Sequence, residues 1–187
     1  MDNSMIIIIV AIVAALAIIA AAWMFIQKKR TDQLRSRFGP EYQRMLETDG
    51  DRRHAEAVLK ERQQRVDKLD IRPLSAEDRQ RFEQAWKREQ AHFVDDPKGA
   101  VAEADRLIGE AMRARGYPLG DFEQRAADIS VDHPMVVENY RLAHEIALKD
   151  RRNEAGTEEL RKAMMHYRAL FEDLLETRAA VAREGTR

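Results

Sequence analysis

Residues 5–26 read MIIIIVAIVAALAIIAAAWMFI, 22 consecutive uncharged positions at the start of the chain, twelve of them Ile, Val, Leu or Phe. At 1.5 Å rise per residue this stretch makes a helix of roughly 33 Å, against a hydrocarbon core of ~30 Å. A core helix of a soluble protein shows a polar face, and none is present between Met5 and Ile26. The segment therefore reads as a transmembrane helix. Ala20, Ala21 and Ala22 could serve a signal peptidase, but residues 1–4 carry no Lys or Arg and the apolar run exceeds a usual signal core, so a retained anchor is expected.

Flanking charge sets the orientation. Residues 1–4 hold only Asp2, whereas Lys28, Lys29, Arg30, Arg35 and Arg37 follow the span against a single Asp32. Lys and Arg near a span stay on the cytoplasmic side. The expected arrangement is a short external tail (1–4), a span through the inner membrane (5–26) and a cytoplasmic remainder. The five basic residues are also suited to contact anionic lipid headgroups.

Beyond the anchor, about 160 residues remain, enough for one domain with a modest core. Without Asp2 the chain has 32 basic and 32 acidic side chains, so the soluble part is formally neutral, which argues against a nucleic-acid binder. Cysteine is absent, so there is no disulfide framework and no thiolate metal site. Charged residues are 35% of the chain with both signs interleaved, the composition of solvated helix faces.

No window alternates as a strand does, and punctuation divides the chain into helices. Gly39-Pro40 ends the anchor helix and opens a short one through Leu46; Thr48 to Asp51 is a turn. Ala55, Val58, Leu59, Val66 and Leu69 mark a further helix. Ser75 caps the next, with Asp78 three residues on as a short stand-in for a capping-box Glu, and with Phe82, Trp86 and Phe93 on one face. Asp96-Pro97 starts a helix that Gly116 ends. Asp121 caps a short helix, Asp132 is read as the cap of the one after it, and Thr157 starts the last, with its stripe of Leu160, Ala163, Met164, Tyr167, Leu170, Phe171 and Leu174. The expected fold is all-α: an N-terminal transmembrane helix, a basic juxtamembrane segment and helical stalk (27–70), a compact antiparallel helical bundle (71–178) and a frayed tail (179–187).

Motifs for chemistry are sparse. Glu89-x-x-His92 is a single copy of a motif that di-iron bundles need twice, and no His-Glu-x-x-His occurs. Gly116 to Gly120 holds two glycines without a preceding strand or a Gly-Lys-Ser/Thr, so it is a turn and not a phosphate loop. Asp132-His133 is the strongest acid–base suggestion, set against ordinary capping by Asp132. The stripe on the last helix reads as bundle core in preference to a docking face for a partner helix. No catalytic residue, cofactor or metal is expected.

Arg37-Phe38-Gly39-Pro40-Glu41-Tyr42, Arg115-Gly116-Tyr117-Pro118, Ser130-Val131-Asp132-His133-Pro134 and Asn139-Tyr140-Arg141, together with the span, resemble a group of short single-span bacterial membrane proteins with no assigned activity. The resemblance implies nearly whole-chain similarity and supplies no site residues. The functional expectation is a non-enzymatic interaction or scaffold module tethered to the membrane, with an unidentified protein partner. The alternative is an enzyme or small-ligand binder with a polar pocket near Tyr117, His133, Tyr140 and His144.

Overall fold

The computed structural model describes the backbone of residues 3–184 and the side chains of residues 12–175. Among the described residues the chain forms eight helices and no strand. They are α1 (Asn3–Phe38), α2 (Pro40–Asp49), α3 (Arg52–Val66), α4 (Ala76–His92), α5 (Pro97–Arg115), α6 (Phe122–Asp132), α7 (Val137–Arg151) and α8 (Thr157–Glu184). Residues 1 and 2 of the expected external tail and residues 185–187 of the expected frayed tail lie outside the described residues; the backbone of the tail is helical as far as Glu184.

The chain divides into two compact units, Met1–Arg37 and Phe38–Arg187. The first is nearly all of α1. From Ile12 to Phe38 this helix is long and apolar enough to cross a membrane, and none of its apolar window is buried. Ile18, Ile19, Met24 and Phe25 are each at least 64% exposed. Lys28, Lys29, Arg30, Arg35 and Arg37 are exposed on the same helix.

The second unit is a helical bundle. Helix α8 packs chiefly on α5 and α7, α4 packs on α5, and α6 packs on both α3 and α7. The apolar stripe of α8 is its centre: Leu160, Ala163, Tyr167, Leu170, Phe171 and Leu174 are all buried, so this stripe is core. Trp86 of α4 stacks on Phe171 with ring centroids 4.7 Å apart.

Local sequence explains most helix ends. Ser75 Oγ accepts from the Asp78 amide at 3.0 Å, and its hydroxyl donates to the Asp78 carboxylate at 2.9 Å. Asp96 and Asp121 cap α5 and α6 through the amides of Gly99 and Gln124. Gly116 ends α5 at φ +101°, where a β-carbon would lie 2.3 Å from the carbonyl oxygen of Asp70. This position requires glycine twice over, for its backbone angle and for its closeness to the α3–α4 connection.

Two expectations are corrected. Asp132 does not cap a helix start: it is the last residue of α6, and α7 begins at Val137 without a side-chain cap. The reason is Pro134. Its ring disfavours helical geometry at the preceding residue, and His133 sits at φ −128°, ψ 48°, so the helix stops there. Nor does the stretch after the anchor form a stalk separate from the bundle. Phe38, Ala55 and Leu59 are fully buried, and α2 and α3 belong to the second unit. The high charge of this stretch is partly internal, because several of its ions pair with α6 and α7.

Candidate functional site

The four residues expected to share a pocket fall into two groups. Tyr117 and His133 meet where α5, α6 and α8 come together. The turn at Gly116 carries Tyr117 back under α5, and the Tyr117 hydroxyl donates to Asp132 Oδ2 at 2.7 Å. Burial, then the charge of Asp132, pushes the Tyr117 phenol well above its ordinary pKa, so it remains a donor. One residue on, His133 is 3% exposed. Its Nδ1 bonds Asp173 of α8, and its Nε2 lies 2.9 Å from Arg115 Nη1. Arg115 Nη1 also reaches the Leu174 carbonyl at 3.3 Å.

The chemistry of these partners fixes the imidazole. A guanidinium can only donate, so His133 Nε2 must accept, and the ring proton lies on Nδ1, directed at the Asp173 carboxylate. Asp-bonded Nδ1 is the arrangement of a catalytic histidine, but there Nε2 is free to take a proton from a nucleophile. Here Nε2 is occupied by Arg115. Arg115 and His133, both buried, and the half-exposed Asp173 form a strap across three helices, with both ring nitrogens engaged.

Tyr140 and His144 lie elsewhere, one turn apart on α7. The His144 ring stacks on Phe122 of α6 with centroids 3.6 Å apart. Its pKa is lowered by burial first, and by Arg151 and Arg125, while Asp105 and Glu123 act in the opposite direction. Tyr140 is fully buried and tilts against both Phe122 and Tyr167. A groove of about 320 Å³ runs between α4 and α8 over Trp86 and Phe171, and none of the four residues lines it. Glu89 and His92, the single Glu-x-x-His, lie 3.5 Å apart on α4.

A third polar cluster was not visible as a site in the sequence. Glu41, 2% exposed, receives Arg141 through two hydrogen bonds of 2.8 Å and Arg62 through one of 2.8 Å. It thereby joins α2, α3 and α7 across 100 residues. Close by, Arg65 of α3 bonds the fully buried Asp128 of α6 at 2.8 Å, and Gln124 adds a third donor to the same oxygen.

The short stretches singled out in the sequence therefore meet in pairs. Glu41, in Arg37 to Tyr42, clasps Arg141, in Asn139 to Arg141. Arg115 and Tyr117, in Arg115 to Pro118, hold His133 and Asp132. No local signal marks Asp173 or Asp128 as partners, because both sit among ordinary helical charges. No family model, curated protein or solved structure matches the chain.

Proposed function

We propose that this protein is a single-span inner-membrane protein with its N-terminus outside, whose helical body in the cytoplasm acts as a tethered, non-enzymatic interaction module. The observation that carries the non-enzymatic reading is the engagement of His133. Its Nε2, the atom a general base would use, accepts from Arg115, and its Nδ1–H is directed at Asp173. Tyr117 likewise donates to Asp132, tying the turn after α5 to the end of α6.

The membrane reading is supported by α1. Its exposed apolar side chains favour lipid, by about 0.3–0.6 kcal/mol for each Ile, Leu, Val or Phe near the bilayer centre. Lys28, Lys29 and Arg30, exposed just beyond Ile26, favour the cytoplasmic side and an anionic headgroup layer, at about 1 kcal/mol per charge near the surface.

Two experiments test this reading. A reporter active only outside the cytoplasm, fused after Arg187, should be silent; strong activity would overturn the orientation. His133→Gln and Asp132→Asn, expressed in a deletion strain, should restore whatever phenotype the deletion produces. Folded variants that fail to do so would move the enzyme or ligand-binding reading ahead.

A further inference from the structure

Where α1 leaves the apolar span, Phe25, Lys28, Lys29, Asp32, Ser36 and Arg37 line a concavity of about 770 Å³ along the helix, all within the first unit. Sites for small ligands usually fall between about 300 and 1,000 Å³. Residues three, four, seven and eleven places after Phe25 share its side of the helix, which brings Lys28, Lys29, Asp32 and Ser36 into line with it. Arg30 and Arg35 of the same basic segment do not line the concavity. Lys28 and Lys29 are exposed and make no ion pair among the described residues, so their charge is available to a ligand.

Depth decides which of these groups meets a lipid. For α1 upright in the bilayer with Ile26 at the edge of the hydrocarbon, Lys28 and Lys29 lie about 3–5 Å beyond that edge, Asp32 about 9 Å and Arg37 about 16 Å. The headgroup layer on each side is about 5–8 Å thick. The two lysines therefore stand at the level of lipid phosphates, Arg37 stands in water, and Asp32 closes the layer with a carboxylate that opposes a second anion.

On the membrane side of Phe25 the same face continues as Ala14, Ala15, Ile18, Ala21 and Ala22, while the bulkier Ile12, Leu16, Ile19 and Trp23 point away from it. The small side chains leave a shallow track along which an acyl chain makes close dispersion contact with the helix. We propose that this face holds one anionic phospholipid of the cytoplasmic leaflet, its phosphate between Lys28 and Lys29 and one acyl chain on the alanine track. The inference rests on the membrane placement proposed above and turns a general attraction to headgroups into a single site.

The test is native mass spectrometry of the full chain released from micelles after titration with dioleoyl phosphatidylglycerol, dioleoyl phosphatidylethanolamine or inorganic phosphate. One phosphatidylglycerol per chain should be retained, in preference to the zwitterionic lipid. Lys28→Gln/Lys29→Gln should weaken retention by about 30-fold, the surface contribution of two cations. Arg30→Gln/Arg35→Gln removes the same charge from outside the concavity and should leave retention nearly unchanged. Equal loss in the two variants would mean diffuse attraction and would overturn the proposal. So would equal retention of the ethanolamine lipid, displacement of the lipid by inorganic phosphate, or a dimer of the chain that holds no lipid. Lys28→Arg/Lys29→Arg keeps the charge and should keep the lipid. A micelle has no inside and outside, so these outcomes are independent of the reporter test of orientation.

Discussion

Replacing Glu41 with alanine should be among the most damaging single changes in the helical body. Glu41 is 2% exposed and accepts three guanidinium hydrogen bonds of 2.8 Å, two from Arg141 and one from Arg62. Without the carboxylate, Arg141, itself 9% exposed, keeps a buried charge. Glu138 lies 3.6 Å from it but is half exposed and offsets only part of the loss; Arg62 is closer to solvent and can turn outward. Breaking a buried pair in this way costs about 3–5 kcal/mol. In a body of this size that lowers the melting temperature by about 6–20 °C. Removing both ions is different: Glu41→Leu/Arg141→Met should be close to neutral, because well-packed apolar side chains can replace a buried pair. The assay is urea unfolding of the full chain in micelles, in a Trp23→Phe background that leaves Trp86 as the only tryptophan. Trp86 stacks on Phe171 in the core, so its fluorescence follows the body alone. A cost below about 1 kcal/mol for Glu41→Ala, or a double variant as unstable as the single one, would refute the reasoning.

Phe171→Ala should cost about 3–5 kcal/mol by the same assay, as expected for a fully packed aromatic; a near-neutral result would mean that this face of α8 is not core. Asp132→Ala should cost about 1–2 kcal/mol, part of it through loss of the Tyr117 bond, and combining it with Tyr117→Phe should cost less than the sum of the two; full additivity would rule out the coupling. Acidification should destabilise the body through His144, whose folded pKa lies below its unfolded value of 6.5. The unfolded chain then binds that proton first, so this contribution is complete above pH 6.5 and is lost as pH falls below it. His144→Gln should flatten the stability–pH curve in that range; an unaltered slope would count against burial as the cause.

The helices were legible because their determinants are local. Ser75, Asp96 and Asp121 announce helix starts, Gly116 announces an end, and the α8 stripe repeats at helical spacing. Asp132 was misread for an equally physical reason. Aspartate followed by proline resembles a helix start, and only the register of α6 shows that Pro134 is ending a helix through its effect on His133. The charged stretch 27–70 resembled a stalk because pairing is not a local property: nothing near Glu41 specifies that its counter-ion is Arg141. The same holds for the candidate site. Tyr117 and His133 were recognisable as polar residues near turns, but Asp173, which orients the imidazole, comes from a helix 40 residues away.

The Glu41–Arg141 clasp also bears on how the chain is made. At about 5–20 residues per second, synthesis reaches Arg141 roughly 5–20 s after Glu41. Throughout that interval α2 and α3 exist without α6 and α7, and so without the counter-ions that later bury Glu41 and fix Arg65. A segment built from aliphatic side chains would spend those seconds as exposed apolar surface, open to aggregation. Here the many ion-pairing side chains stay hydrated in the meantime, beside a few apolar ones, Phe38 and Leu59 among them, that are covered in the finished body.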